Sequence, residues 1–423
     1  METVITLGFM DLNSAAESVT LSSGITFSGA VEPQKVQIAC NKLSNAWPIL
    51  GAHLRRSETG KIEAVIPNEA NSALKVTTLA INGTLAKNEK IYVQTKTIST
   101  QYISRNESFY RPQPLQNLEA YVSRGDPAFA LHVTYLSDAT IFTLTIAHIL
   151  MDASGLTEVI KGFILALDGK PIPPLLSHDP WSVILPEALG SPSNPEASRG
   201  WAVWDADSGL ASRRAEEKDM QADGPIQSRT IYFPAAEIAR LKQEAIEELK
   251  RGGYEVPILS TTDIVGAWLY KHTFIDTPDS EEKSRFIYVV DARNRFPEAF
   301  PPGQAYLHNA FFNMSTEPIN DSKLHSMSLG EIARMIRLSV KKYTARGPLL
   351  SQLKWKHEHA GQTQIPFSPG DRIQFASSWL SFRLGDLSID KHIVPELGQV
   401  VCWTSYTTLM GVPAVRPLSS LRT

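Results

Sequence analysis

One stretch decides how this sequence is interpreted: Ile141-Phe-Thr-Leu-Thr-Ile-Ala147 runs directly into His148-Ile-Leu-Met-Asp152-Ala-Ser-Gly155. Residues 141–147 alternate apolar with small polar side chains, a pattern typical of a β-strand. Apolar periodicity over 152–168 predicts a helix, with Asp152 or Ser154 as its N-cap. The stretch therefore predicts a strand, a short turn that carries the histidine, and a helix.

The rest of the chain alternates predicted strands and helices, which favours an α/β architecture. Strand patterns cover 128–135, 231–233 and 285–290, and helical patterns cover 36–47, 235–252 and 260–273. Residues 171–228 are rich in Pro, Ser and Gly and have poor periodicity, so we interpret them as a long crossover loop. We expect a first domain over 1–170, this crossover loop over 171–228, and a second domain over 229–423.

Length and composition exclude several classes of protein. The 423 residues carry a formal net charge of -3 without a basic stripe, so nucleic acid is not an expected partner. Two cysteines, Cys40 and Cys402, are too few for a secreted disulfide scaffold. No secretory leader opens the sequence, and no apolar run is long enough to span a membrane. We therefore expect a cytoplasmic protein, and we take it to be a monomer.

No metal site is expected either. The sequence has no cluster of His, Cys, Asp and Glu with the spacing of metal ligands. The nearest candidates, His357 and His359, lie in a charged run that we expect to be exposed.

His148 is the candidate for chemistry because a strand precedes it and a helix follows it. Such a junction in an α/β domain opens at the edge of the sheet, where ligands bind. Its imidazole could take a proton from an alcohol and return it to a leaving thiolate. The alternative is a histidine that is satisfied within the core. The HxxxD spacing decides little, because His272-Thr-Phe-Ile-Asp276 repeats it at a helix end that we expect to be solvated.

The segment HILMDASG resembles the HxxxDG box of the BAHD acyltransferases, particularly of the fungal branch that includes trichothecene acetyltransferases. Further stretches resemble segments of that family in the same order along the chain: Leu43–Arg56, Ile231–Ala245, Ser260–Trp268, Asp291–Asn309 and Ser377–Trp379. Each motif is modest by itself, but together they span most of the sequence.

The resemblance implies two chloramphenicol-acetyltransferase-like α/β domains, with mixed sheets flanked by helices and a channel between them. It implies acyl-CoA as co-substrate, no tightly bound cofactor, and a small hydroxylated molecule (or an amine) as acceptor. His148 would be the general base, Trp379 would stabilise the oxyanion, and Ser377 would contact the acceptor.

The resemblance also implies supporting residues around the histidine. Asp152 would turn away from the substrate and pair with Arg293, or with Arg295 instead. Gly155 would support the turn, and His308 and Asn309 would lie at the substrate.

The sequence departs from the family pattern at its late box, at one glycine position, and in its C-terminal stretch, which lacks the expected polar closing helix. The family's late DFGWG box reads Asp386-Leu-Ser-Ile-Asp390-Lys-His392, and His308 replaces a glycine. Two alternatives therefore stay open. The chain could use His148 for an elimination, isomerisation or cyclisation on a polyketide or terpenoid, or it could be a non-catalytic paralogue that binds a small molecule. The intact pair of His148 and Asp152 favours an enzyme.

Overall fold

The computed structural model describes residues 2–12, 19–68, 74–88, 95–101, 109–112, 115–196, 198–223, 230–274, 280–387, 389–392 and 405–410. The strands are β1 (Thr3–Thr6), β2 (Thr20–Ser28), β3 (His53–Arg56), β4 (Ile62–Ile66), β5 (Lys75–Ala80), β6 (Ser99–Gln101), β7 (Phe129–Tyr135), β8 (Ala139–Ala147), β9 (Ala202–Trp204), β10 (Thr230–Tyr232), β11 (Lys283–Asp291), β12 (Phe311–Ser315), β13 (Ile319–Asn320), β14 (Thr363–Ile365), β15 (Arg372–Ala376) and β16 (Ser405–Met410).

The helices alternate with these strands along the chain. They are α1 (Pro33–Ala46), α2 (Leu85–Asn88), α3 (Leu118–Arg124), α4 (Ala153–Leu167), α5 (Pro180–Gly190), α6 (Ala206–Asp223), α7 (Ala235–Arg251), α8 (Thr261–Thr273), α9 (Asp321–Ser326), α10 (Leu329–Tyr343) and α11 (Arg346–Glu358).

The first half is organised around a five-stranded mixed sheet with the order β16-β2-β8-β7-β5. β5 and β7 are parallel, and the other neighbouring strands are antiparallel. Helices α1 and α4 pack together beside this sheet, and Leu43, Trp47 and Ile160 are buried in the shared core. A Cβ at Gly162 would lie 2.6 Å from the Trp47 ring, so a glycine lets the two helices approach closely. The central position of β8 fixes the start of the turn that carries His148.

The second half has its own sheet around β11. β12 and β13 pair with β11 antiparallel, and β15 pairs with it in parallel. Helices α7, α8 and α10 pack against one another beside this sheet. Both α8 and α10 begin with a capping box, formed by Ser260 with Asp263 and by Ser328 with Glu331. Mixed sheets flanked by helices therefore occur in both halves, which confirms the predicted fold class.

The predicted elements agree closely with the structure, but residues 171–228 contain more regular structure than a loop. The Asp179 side chain caps α5 by accepting a hydrogen bond from the Trp181 backbone N–H, and α5 buries Trp181 and Ile184. β9 pairs with β14 of the second half. Composition did not predict α5, because Pro180 at its first position and Pro186 inside it are read as helix breakers.

Segments of each half are buried in the core of the other half or pair with its strands. Met10 is buried in the core of the second half. Leu307 and Ile389, which follow the crossover, are buried in the core of the first half, and β16 pairs with β2. Within the described residues, no helix combines the length and the apolar character needed to cross a membrane.

Candidate active site

His148 lies immediately after the central strand β8. Its backbone N–H donates a hydrogen bond to the Val19 carbonyl at 2.9 Å, which continues the pairing of β8 with β2. The side chain is half-buried, and its ring meets the Phe311 ring edge-on with centroids 5.9 Å apart. Nδ1 is buried and has no hydrogen-bond partner among the described residues. Nε2 is therefore the nitrogen through which this ring can meet a substrate.

The surroundings of His148 favour a neutral imidazole. Burial lowers the pKa of His148 from its ordinary value of 6.5. Its own backbone, the Asp152 and Asp11 carboxylates and the Asn309 side chain act in the opposite direction, and burial outweighs them. A neutral imidazole can accept a proton, which is the property that a general base needs.

Asp152 faces away from the imidazole and holds the turn together. Its Oδ1 accepts the Gly155 backbone N–H at 2.8 Å, so Asp152 is the N-cap of α4. Its Oδ2 accepts the Ala310 backbone N–H at 2.8 Å, which comes from the second half. The carboxylate is buried, and each of its two oxygens accepts one of these backbone hydrogen bonds.

The predicted ion pair between Asp152 and Arg293 is present, which confirms that prediction. The guanidinium binds both carboxylate oxygens, with Nη1 at 3.1 Å from Oδ2 and Nη2 at 3.0 Å from Oδ1. Its remaining N–H groups bond to the Asp291 carboxylate at 2.7 Å and to the carbonyls of Tyr306 and His308. Burial lowers the pKa of Arg293, but the charges of Asp152 and Asp291 reverse the effect and hold it above its ordinary value. The pair joins the two halves directly behind His148.

Gly155 lets the second half approach the start of α4. A Cβ at this position would lie 2.0 Å from the Leu307 carbonyl oxygen, so the contact requires a residue without a side chain. The loop of residues 305–310 therefore rests directly on the turn that carries the histidine.

Asn309 and Asp11 fix the His148 backbone from behind. Asn309 is fully buried, and its Nδ2 donates to the His148 carbonyl at 3.0 Å and to Asp11 Oδ1 at 2.9 Å. The Asn309 backbone N–H also donates to Asp11 Oδ1, at 3.0 Å. Sequence reasoning missed Asp11, because a lone acidic residue in the apolar segment 7–12 has no pattern that points to residue 309.

His308 lies beside this cluster. Its side chain is 20% exposed, and its Nδ1 is 3.8 Å from Asp11 Oδ2. The backbone carbonyl of His308 accepts from Arg293, so the residue that replaces the family glycine belongs to the same network.

Trp379 and Ser377 are not joined to His148 by a hydrogen bond or a ring contact in the described part of the chain. Trp379 is half-buried, packs against the core of the first half and meets Phe382 edge-on at 5.6 Å. Ser377 is exposed. Both lie in the segment that returns from β15 to the first half.

The second HxxxD copy has different surroundings. His272 lies in the last turn of α8, where Nδ1 bonds the Trp268 carbonyl at 2.7 Å and the ring stacks on Trp268 at 3.9 Å. It is half-buried rather than solvated, because the indole covers one face. Asp276 lies outside the described residues.

The charged run around His357 is not the exposed segment that we expected. Lys356 is fully buried, with Nζ 4.1 Å from the centroid of the Trp201 ring and 5.9 Å from that of Phe311. His357 and His359 are half-buried. The expectation was wrong because the alternation of charged and aromatic residues hides which helix face packs inward. Among the described residues, no group of three or more His, Cys, Asp and Glu is arranged to hold a metal ion.

The chain is similar in sequence to a known protein family and to several fungal acetyltransferases. The pattern of the Transferase family matches residues 109–389, and the chain belongs to this family, the BAHD acyltransferases. It is therefore an acyltransferase, as the sequence predicted. The acetyltransferase pyiB of Pyricularia grisea is 24% identical over 428 residues, which cover 96% of this chain and 81% of pyiB. The acetyltransferase BOT5 of Botryotinia fuckeliana is 27% identical over 316 residues, which cover 70% of this chain and 57% of BOT5.

Solved structures agree with this fold. F. graminearum TRI101 complexed with coenzyme A and deoxynivalenol superposes with a TM-score of 0.62 at 14% identity, covering 96% of this chain and 89% of TRI101. F. sporotrichioides TRI101 complexed with coenzyme A and T-2 gives a TM-score of 0.60 at 13% identity, covering 89% and 83% of the two chains. Because the sequence identities are this low, the comparison shows a shared fold and nothing further.

Proposed function

We propose that this chain transfers an acyl group from an acyl-CoA to a hydroxyl, or an amine, of a small natural product, with His148 as general base. The observation that carries the proposal is the placement of His148. Its side chain is half-buried at the end of a rigid strand, its Nδ1 is buried, and burial favours its neutral form. The acetyltransferase relatives favour acetyl as the acyl group, and the TRI101 complexes favour coenzyme A as its carrier.

The reaction proceeds without an acyl-enzyme intermediate. Nε2 of His148 takes the proton of the acceptor hydroxyl while the acceptor oxygen bonds to the thioester carbonyl carbon. The tetrahedral intermediate then collapses, the C–S bond breaks, and the imidazolium returns the proton to the CoA thiolate. The acceptor becomes an ester, and free CoA leaves with the proton on its sulfur.

The supporting residues act through the position of His148. Asp152, Arg293 and Gly155 hold the turn in place, as their mutual contacts suggest. Asn309 was expected to bind substrate, but its complete burial and its bond to the His148 carbonyl support a positioning role instead. His308, whose side chain beside it is partly exposed, remains a candidate for substrate contact.

Trp379 and Ser377 remain candidates for the oxyanion and the acceptor. An indole N–H aimed at the developing charge would stabilise the tetrahedral intermediate. Neither residue forms a hydrogen bond or a ring contact with His148 in the described structure, so the proposal requires that bound substrate lies between them and the imidazole.

The proposed organisation keeps a first domain over 1–170, a crossover segment over 171–228 and a second domain over 229–423. Met10, near the start of the first domain, is buried in the core of the second half. Ile389, late in the second domain, is buried in the core of the first half. The expected cytoplasmic location and monomeric state are part of the same proposal.

The test is turnover of the His148→Ala variant. Acetyl-CoA is supplied with a panel of hydroxylated terpenoids and polyketides, and thiol release and product mass are measured. We expect turnover to fall by roughly 10²–10⁴-fold, because that is the contribution typical of a general base. His272→Ala is the matched control and should retain wild-type turnover. Turnover of His148→Ala within a few-fold of wild type would exclude the assignment, and product formation without thiol release would favour the alternative reactions.

A further inference from the structure

The N-terminal segment reaches the back of the candidate active site. Asp11 is buried in a turn over residues 8–11, in which the Gly8 backbone N–H donates to Asp11 Oδ2 at 3.2 Å. The neighbouring Met10 is buried in the core of the second half, so this turn has a fixed position in the molecule. Asp11 thus stands between the two halves, on the far side of the turn that carries His148.

Asp11 and two backbone carbonyls together determine which way the Asn309 amide points. A carboxylate only accepts hydrogen bonds, so Nδ2 and not Oδ1 of Asn309 must face it. The same Nδ2 lies 3.0 Å from the His148 carbonyl and 3.3 Å from the Ile149 carbonyl. The opposite orientation would place the amide oxygen against both carbonyls. Asn309 Oδ1 is buried without a partner in the described structure, which is a cost that the contact with Asp11 offsets.

We propose that Asp11 is a positioning residue for the reaction and that it holds the His148 backbone in place through Asn309. This inference rests on the proposed function for its catalytic meaning, but the contact exists whatever the reaction is. Asp152 supports a different part of the same turn, because it accepts the backbone N–H groups of Gly155 and Ala310.

The charges around this cluster give Asp11 a second, measurable effect. Asp152 and Asp11 both raise the pKa of His148 against the larger effect of burial. Asp11 itself faces His308, and burial raises the pKa of Tyr306, with the Asp11 charge acting in the same direction. Burial raises the pKa of Asp11, although its bonds to Asn309 and the charge of His308 act against the increase.

The experiment compares Asp11→Asn with wild type. The variant keeps the size of the side chain but loses its charge, and its amide can present either an oxygen or an N–H group to Asn309. We expect the pKa of His148 to fall, read from the ¹³Cε1 resonance of labelled histidine and assigned with His148→Asn. We also expect kcat to fall by about 10-fold to 100-fold, the scale of a small displacement of a catalytic group, while KM for acetyl-CoA stays within about twofold. Asp138→Asn, at the β7–β8 turn, is the control and should change neither.

A second variant separates the hydrogen bond from the charge. Asn309→Ser keeps the charge of Asp11 but removes the link to the His148 carbonyl. We expect it to lose kcat as well, because the link from Asp11 to the His148 carbonyl is broken although the Asp11 carboxylate remains. If Asp11→Asn does not fold, an unchanged kcat in Asn309→Ser would still exclude the positioning of His148 through Asn309.

Unchanged kcat in both variants, with an unchanged His148 titration in folded Asp11→Asn, would overturn the inference. The proposed function fails separately, through a fully active His148→Ala variant. In that case the titration of Asp11→Asn still decides whether Asp11 acts on His148.

Discussion

Asp152 and Arg293 form a buried ion pair, and Arg293 also binds Asp291. Their side chains are 6% and 13% exposed, so neither charge can be left to solvent. We expect Arg293→Ala to lower the free energy of unfolding by about 3–5 kcal/mol, because Asp152 is then buried without its cation. Asp152→Asn should lower it less, because Arg293 keeps its ion pair with Asp291. Both should also lose activity. Urea unfolding of the single and double variants measures the coupling, and the double variant should be less damaged than the sum of the singles.

The control for this cycle is an exposed pair. Arg240 bonds Glu237 on the surface of α7, with 55% of the arginine side chain exposed. Arg240→Ala should leave the free energy of unfolding close to that of wild type, because solvent screens an exposed ion pair. Strict additivity between Asp152→Asn and Arg293→Ala would show that the pair does not act as a unit.

Lys356 makes the stability depend on pH. Burial lowers the pKa of Lys356 to about 7 from its ordinary 10.5, and no acidic group pairs with it in the described structure. A lowered lysine pKa means that the unfolded chain binds more protons between those two values. Stability therefore falls as pH falls from about 10 to about 7, and this contribution is constant below that. Each pKa unit corresponds to about 1.4 kcal/mol.

We expect Lys356→Met to raise the free energy of unfolding at pH 7 and to flatten its dependence between pH 7 and 10. Lys354→Met, on the same helix, is the control, because the Lys354 ammonium reaches the carbonyls of Leu189 and Ser191 near the surface. The check is urea unfolding at both pH values. A Lys356→Met variant that is less stable at pH 7 would show that the contact with Trp201 outweighs the burial of the charge.

At the scale of elements, the unit that matters is β8, its turn and α4. The sequence predicted this unit well, because alternating apolar residues, a capping aspartate and a helical pattern are all local signals. The sequence did not explain why a glycine stands at position 155. A glycine in the first turn of a helix is ordinarily unfavourable, and only the approach of Leu307 from the second half explains it.

Gly155→Ala tests this contact. We expect a loss of roughly 1–3 kcal/mol in the free energy of unfolding, because the new methyl group would collide with the Leu307 carbonyl and backbone must move. Gly209→Ala in α6, where a Cβ meets nothing within 4 Å, should instead stabilise by about 0.5–1 kcal/mol. Urea unfolding measures both. A Gly155→Ala variant as stable as wild type would mean that the two halves separate easily at this point.

At the scale of the whole molecule, the two halves are joined by more than the crossover segment. The loop of residues 305–310 rests on α4, and His392 bonds the Asp168 carboxylate at the end of α4 at 2.9 Å. This last bond lies in the segment where the family's DFGWG box is missing. The segment thus still reaches the first half, although its sequence has changed.

A ligand that bridges the two halves should stabilise the whole molecule. We expect coenzyme A to raise the thermal midpoint of unfolding in proportion to the logarithm of its concentration, because it binds the folded state only. His148→Ala should show the same increase as wild type, since the base is not needed for binding. Adenosine, which lacks the phosphates and the pantetheine arm, is the control ligand. If coenzyme A does not raise the thermal midpoint, acyl-CoA is excluded as the acyl donor.

The sequence alone determined the strand, turn and helix around His148, most other elements, the family and the pair of Asp152 with Arg293. These follow from signals that are local or that a family resemblance carries. Only the tertiary structure decided that Asp11 lies behind Asn309, that Lys356 is buried, and that Leu307 requires Gly155. Asp11 and Asn309 are 298 positions apart, and the hydrogen bond between them depends on how two separate cores pack together. Local patterns report which face of an element is apolar, but not which distant residue comes to lie against it.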